Sequence, residues 1–373
     1  AGARLQRRNE PARLVKTQCP AGQACAAGDL GDVERINHIR LMHVDAASTS
    51  SVKCRLDALV LFRQAMRMGR LIARRLLTAI PTLLAIIILS FILMRIAPGG
   101  PFDGERPLAP EVRAALEAAY GLDKSLPEQV WLYLARLAQG DFGPSMVYRD
   151  FTVSGLIADA LPVSLLIGGC ALLLASLLGI AIGLWAALRA GKWQDELLML
   201  AATLLTALPT FVTGPLLALI FGLWLGWLPV SGQNDGLSWL VLPVIALALP
   251  VTGAVAKLAR AGLAGELGSD HIRAARARGI APLTILRRHA LRPALVPVAS
   301  YLGPAAAALL TGAVVIETVF GLPGLGRYFV QGALNRDYPL VLGVVTLYAS
   351  LIILFNLFAD LIYGWLDPRM REG

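Results

Sequence analysis

The chain has 373 residues, of which 56% are hydrophobic and 16% are charged, and its formal net charge at pH 7 is +9. In soluble globular proteins about a quarter of all residues are usually charged, so this composition excludes an ordinary soluble domain. Apolar runs of about twenty residues recur and predict an all-α polytopic membrane protein, whose excess Lys and Arg belong to cytoplasmic loops rather than to a nucleic-acid surface.

The first 65 residues differ from the rest, because their charges are mixed and they show no sustained hydrophobic period. We interpret residues 1–65 as a polar, disordered N-terminal extension, or as upstream sequence read through a mis-set start. Met66 and Met68 each open a segment, MRMGRLIARRLL, that is typical of the N terminus of a membrane protein. The domain that carries the function is therefore predicted at residues 66–373.

Six membrane spans are predicted in this domain, at about residues 76–96, 157–188, 197–228, 239–258, 295–316 and 340–364. Arginines precede the first span and place the N terminus in the cytoplasm, and an even number of spans returns the C terminus to the same side. An outer excursion at residues 97–157 is net acidic and contains two helical patterns, Pro110 to Ala119 and Leu126 to Ala138.

The most basic segment of the domain is the predicted cytoplasmic loop at residues 259–293, between spans four and five. Ser269 or Asp270 is expected to cap a first short helix, and Gly279 to end it in a left-handed turn. Pro282 suits the first turn of a second helix, which Pro293 is expected to stop. This helix–turn–helix is predicted to dock a cytoplasmic partner.

Residues able to carry catalysis or ion coupling are scarce. The sequence contains no Walker A loop, no GxSxG and no HExxH, so we predict a protein that is not an enzyme, with no catalytic, cofactor-binding or metal-binding residue. Glu317 and Asp360 lie near span ends, whereas a coupled carrier holds its ion on acids deep in the bilayer. An ion-coupled secondary transporter of a small solute is kept as the alternative function.

Three motifs carry a family resemblance. The segment His271-Ile-Arg-Ala-Ala-Arg-Ala-Arg-Gly279 resembles the EAA loop of binding-protein-dependent ABC importer permeases, with Ala274, Ala275 and Gly279 at the motif positions and Arg273 replacing its Glu. The stretches Glu317-Thr-Val-Phe320, Pro323-Gly-Leu-Gly326 and Asn335-Arg-Asp-Tyr-Pro339 resemble the peptide, nickel and opine branch, as does Gln139-Gly-Asp-Phe-Gly143.

The resemblance implies a type I ABC importer permease fold and a first permease that pairs with a second one in the bacterial plasma membrane. Two cytoplasmic ATPases, which hold the ATP and Mg, would bind a coupling loop, and this chain itself would need no cofactor. The implied coupling residues are His271, Arg273, Ala274, Ala275, Arg278, Gly279, His289 and Leu291.

An extracytoplasmic binding protein would dock on the outer loops, with the excursion at residues 97–157 and the Pro-Gly-Leu-Gly loop at the mouth. The implied outer-mouth residues are Glu317, Phe320, Pro323, Gly324, Gly326 and Asp337. The implied cargo is a di- or oligopeptide, with nickel, glutathione and other solutes left open.

Overall fold

The computed structural model describes residues 75–96, 99–102, 109–148, 150–232 and 236–366, with side chains as far as Leu361. The predicted extension at residues 1–65 and the basic C-terminal tail lie outside these ranges. The described chain is helical apart from turns and one isolated antiparallel bridge between Pro144 and Thr152. The predicted all-α fold class is confirmed.

Twelve helical elements are used below, in chain order. They are α1 (Arg75–Ile96), α2 (Pro110–Ala119), α3 (Leu126–Leu137), α4 (Val153–Leu188), α5 (Trp193–Ala207), α6 (Thr210–Leu217, continued by a π turn Ala218–Trp224), α7 (Ser238–Leu267), α8 (Asp270–Ala277), α9 (Pro282–Thr284, continued by a π turn Ile285–Ala290 and by Leu291–Ala294), α10 (Val296–Val319), α11 (Leu325–Leu334) and α12 (Tyr338–Leu366).

Within the described residues, five helices are long and apolar enough to cross a membrane, namely α1, α4, α7, α10 and α12. The third predicted span, residues 197–228, is divided between α5 and α6, which meet at a bend of 99°. Pro209 has no N–H to continue α5, and Leu208 before it takes the extended ψ of 117° that a following proline favours. The structure therefore has six spans if this bent pair counts as one.

The helix that contains the fourth predicted span extends beyond it. The hydrophobic pattern predicts its end at residue 258, but α7 continues to Leu267 and contains Lys257 and Arg260. Each of these side chains has a polar partner on α5: Lys257 Nζ donates to Thr206 Oγ1 over 2.9 Å, and Arg260 pairs with Asp195. The helix can continue through both residues because each cation has a hydrogen-bond partner and Arg260 also has an opposite charge beside it.

Small residues bring the long helices close together. A Cβ added at Gly183 of α4 would lie 2.3 Å from the Ala256 carbonyl oxygen of α7, and one at Gly303 of α10 would lie 2.2 Å from the Ala359 Cβ of α12. Only glycine permits such backbone approach, which gives helices in membranes their dispersion contacts. The core between α4, α7 and α10 is filled by aliphatic side chains that include Ile167, Leu247 and Leu309.

Candidate functional site

The first candidate site is the connection from α7 to α10, residues 268–295, which we call the basic elbow. Ser269 occupies the N-cap position of α8 with an extended ψ of 156°, and Gly279 ends the turn after α8 with φ of +74°. Pro282 lies in the first turn of α9, as predicted. The turn at Gly279 and the helix start at Pro282 are confirmed. The Ser269 side chain does not cap α8, because its Oγ donates to the Glu266 carbonyl over 2.6 Å.

Pro293 does not stop the second helix, contrary to the prediction. The helix continues to Ala294, and only Leu295 separates it from α10. The π turn Ile285–Ala290 already interrupts the regular α-helical hydrogen bonding here, so the missing N–H of Pro293 removes little.

The inner face of the elbow is an apolar cluster. Ala275 is only 8% exposed and packs with the fully buried Ile272 and with Ala187 and Leu263 of α4 and α7. Ala275 is thus the one predicted coupling residue that is buried among the described residues. Its role is to let α8 lie close to the ends of α4 and α7.

The outer face of the elbow is basic. Five of the predicted coupling residues are exposed, namely His271, Arg273, Ala274, Arg278 and Gly279. His289 and Leu291 are half-buried. Leu283 is also exposed, over 56% of its surface, as are Arg276, Arg287 and Arg288. An exposed leucine on a segment rich in exposed arginines is suited to contact a protein partner.

The second candidate site is the connection from α10 to α12, where the predicted outer-mouth residues lie. The backbone N–H of Leu325 donates to Ser164 Oγ over 2.9 Å, and that of Gly326 donates to Glu317 Oε2 over 2.7 Å. These N–H groups belong to the first two residues of α11, and no intrahelical acceptor exists for them. Side chains from α4 and α10 therefore cap α11 from outside, and the Glu317 carboxylate also complements the positive end of the helix dipole.

The glycines of the motif leave room for this carboxylate. A Cβ at Gly324 would lie 2.3 Å from the carboxyl carbon of Glu317, and a Cβ at Gly326 would lie 2.3 Å from Val314 Cα. Any side chain at Gly326 would push α11 away from α10, since the contact is with backbone. The Pro-Gly-Leu-Gly stretch thus serves close packing around Glu317.

Asp337 is the cap of α12 and also fastens the segment that follows α3. Its carboxylate accepts from the Leu340 N–H and from the N–H groups of Met146 and Val147, each over 3.2 Å, and from the hydroxyl of Ser145. Asp337 is fully buried. One side chain therefore holds the residue 145–147 segment against the start of α12.

The outer-mouth residues are thus interior residues of the described protein. Glu317, Phe320, Gly324, Gly326 and Asp337 are buried and Pro323 is half-buried. The exposed residues that this framework presents include Gly321, Arg327, Leu334, Asn335 and Arg336. The sequence motif marks the supports of the surface rather than the surface.

The ion pair between Asp195 and Arg260 was not predicted. From the sequence, Asp195 is expected in a short cytoplasmic turn. Its side chain is 4% exposed and accepts two hydrogen bonds from Arg260, Nε to Oδ1 over 3.1 Å and Nη2 to Oδ2 over 2.6 Å. The Gly191 N–H is a third donor to this carboxylate. The lack of any proline between Lys257 and Gly268 could have signalled the longer α7 that makes the pair.

Residues 179–372 match the family described as binding-protein-dependent transport system inner membrane component. The chain belongs to this family. The oligopeptide transport system permease protein OppB of Haemophilus influenzae is 47% identical over 305 residues, covering 82% of this chain and 100% of that protein. The dipeptide transport system permease protein DppB of Bacillus subtilis is 37% identical, covering 82% of this chain and 98% of that protein.

The solved inward-facing MetNI methionine ABC transporter is 17% identical and aligns over 57% of this chain and 96% of that chain with a TM-score of 0.48. The predicted resemblance to importer permeases of this family is confirmed by the family match and by the two curated permeases. The chain is accordingly a multi-pass inner-membrane permease subunit.

Proposed function

We propose that this permease is one of two membrane subunits of an ATP-driven importer that carries di- or oligopeptides. The proposal is carried by its 47% identity to OppB along the whole length of that protein. The alternative, an ion-coupled carrier, is not favoured, because the buried Glu317 caps α11, and Asp195 is paired with Arg260. These contacts occupy one oxygen of Glu317 and both oxygens of Asp195.

In this proposal the basic elbow docks the ATPase subunits, which hold the ATP and Mg. The elbow is joined to α7 and α10 at its two ends, and its inner face is packed on α4. A displacement of the elbow would therefore move three spans together, since packed interiors transmit strain rather than absorb it. The exposed Arg278 and Leu283 are the residues we assign to direct contact with an ATPase.

The binding protein docks at the opposite end, on the exposed residues that surround α11. Its framework is made rigid by the buried caps Glu317 and Asp337, so the surface keeps one shape when the binding protein arrives. Arg327 and Arg336 are exposed cations of this surface. The second permease completes the pathway between the two ends.

Both termini lie in the cytoplasm in this proposal. At the start of α1, Arg75 Nε lies 2.8 Å from Asp360 Oδ2 near the end of α12, so the described ends of the first and last spans share one side. Arginines concentrate on the cytoplasmic side of membrane proteins, and the basic elbow is assigned to that side.

Two charge reversals test the proposal in the complete transporter. Arg278→Glu is expected to remove the ATPase subunits from the purified complex and to abolish peptide uptake, while the binding protein still associates. Arg327→Glu is expected to weaken association of the binding protein and to leave the ATPase subunits in place. A transporter that purifies without any ATPase and still takes up peptide, driven by a proton or sodium gradient, would show a secondary carrier instead.

A further inference from the structure

A cavity of about 200 Å³ lies beside the last turn of α1, between α1, α3, the turn at residues 120–124 and the start of α12. One part of its wall is apolar and aromatic. The side chains there include Phe91, Met94, Leu132, Tyr133, Phe142 and Leu342. Neither candidate site described above uses this space.

The rest of the wall is cationic. Arg95, Lys124 and Arg136 line the cavity, and none of its described lining residues is an Asp or Glu. The described residues supply no ion-pair partner to any of the three. Three cations around one partly apolar space attract an anion more strongly than isolated surface charges do, because the field is less screened there.

The cationic wall is held in place by hydrogen bonds. Arg95 Nη2 donates to the Leu122 carbonyl over 2.9 Å, and the buried Gln129 donates from Nε2 to the carbonyls of Leu122 and Lys124 over 3.1 and 2.7 Å. These bonds shape the turn that carries Lys124. An arginine has five N–H donors, so Arg95 keeps others for a ligand.

The order of the two wall types along α1 indicates the class of ligand. Phe91 and Met94 lie deeper in the span, and Arg95 lies one residue before its end at Ile96. Only 6% of the most apolar window of α1 is buried in the protein, so most of this helix can contact lipid. A ligand that fills this site is apolar at the depth of the bilayer and anionic at its interface. Membrane phospholipids with an acidic headgroup have that arrangement.

We propose that this cavity binds an anionic phospholipid of the bilayer. Its phosphate lies among Arg95, Lys124 and Arg136, and an acyl chain runs along Phe91, Met94 and the start of α12. The lipid would join α1 to α3 and α12, because α1 itself buries little surface against them. This inference requires only that the chain spans the membrane, and it holds or fails separately from the identity of the cargo.

The test uses the complete purified transporter and phosphatidylglycerol as the probe. Native mass spectrometry after exchange into phosphatidylcholine is expected to show retained phosphatidylglycerol on the parent complex. The double variant Lys124→Gln/Arg136→Gln removes two exposed cations that make no hydrogen bond within the described chain. It is expected to lower the retained fraction about tenfold for each charge-assisted hydrogen bond that the lipid phosphate can no longer make.

Arg113→Gln on α2 is the matched control, since it removes one positive charge outside the cavity and is expected to retain the lipid. Soluble glycerol 3-phosphate and a tripeptide are added as competitors, and neither is expected to displace phosphatidylglycerol. Equal retention by the parent and the double variant would overturn the proposal. So would displacement by glycerol 3-phosphate, which would mark a site for a free phosphate, or displacement by the peptide, which would place the cavity in the cargo pathway.

Discussion

Gly183 shows how far single residues decide the packing of this permease. It faces the backbone of α7, and a Cβ there would meet the Ala256 carbonyl oxygen at 2.3 Å and Arg260 N at 3.0 Å. Gly169, on the same helix, has no atom within 4 Å of an added Cβ. The sequence alone does not distinguish these two glycines, but in the folded protein Gly183 packs against α7 and Gly169 has open space around it.

We expect Gly183→Ala to destabilise the permease by about 1–3 kcal/mol, because the added methyl group separates α4 from α7. Gly169→Ala is expected to be neutral or slightly stabilising, since alanine is the better helix former by about 1 kcal/mol. Thermal unfolding of the purified complex measures both. A lower melting temperature for Gly169→Ala than for Gly183→Ala would contradict the packing described.

The ion pair between Asp195 and Arg260 leads to a second prediction at the residue scale. Removing Arg260 leaves the buried Asp195 carboxylate without its main partner. Because the Arg260 side chain is 35% exposed, the loss is reduced by solvent, and we expect Arg260→Ala to cost about 1–3 kcal/mol.

Arg113→Ala is the matched change in an exposed pair, with Glu117 one turn away on α2. An exposed pair of this spacing contributes about 0.5 kcal/mol or less. Chemical unfolding in detergent compares the two variants. Equal losses would mean that burial adds nothing to the Asp195 pair.

At the scale of elements, the elbow and α11 are each positioned by contacts made far along the chain. Helix α11 begins where Ser164 and Glu317 accept its first N–H groups, and the elbow rests on the ends of α4 and α7. Short helices of eight to ten residues are marginal alone, so these tertiary contacts account for their stability.

The turn at Gly279 provides a matched pair of proline substitutions. Gly279 has φ of +74°, which proline cannot adopt, whereas Ala281 has φ of −57°, which suits it. Gly279→Pro is therefore expected to disrupt the elbow and abolish uptake, and Ala281→Pro to keep at least half of it. Membrane insertion of both, measured by protease accessibility, serves as the control, and normal uptake by Gly279→Pro would refute the role of the elbow.

At the scale of the whole molecule, Arg75 and Asp360 connect the first and last spans. Their 2.8 Å contact is one of the few that hold α1, which buries little of its apolar window. Because the Arg75 side chain is 54% exposed, solvent reduces the contribution of the pair, and breaking it is expected to have a small effect on unfolding and a larger one on the position of α1.

We expect Asp360→Arg to free α1 from α12 and to reduce a disulfide cross-link between cysteines introduced at Thr82 and Ile353, which line one shared pocket. The double variant Arg75→Asp/Asp360→Arg restores the opposite charges and should restore the cross-link. Failure of the double variant to recover would show that the pair does not hold α1.

Much of this permease is specified locally. Helices α2 and α3, the turn at Gly279 and the start of α9 at Pro282 follow from proline, glycine and hydrophobic period, which act over a few residues. The family also follows from short motifs, because the residues of each motif lie within about ten positions of one another, from His271 to Gly279 and from Glu317 to Gly326.

The tertiary structure decided what these motifs do. Asp195 and Arg260 are 65 residues apart, and Glu317 needs Gly326 and the surface of α4 around Ser164 to become a buried cap. The length of α7 and the burial of the outer motif depend on such distant partners. From the sequence, a charged side chain is predicted to lie at the surface, because burying an unpaired charge costs much free energy. Only the folded structure shows the partner that offsets this cost.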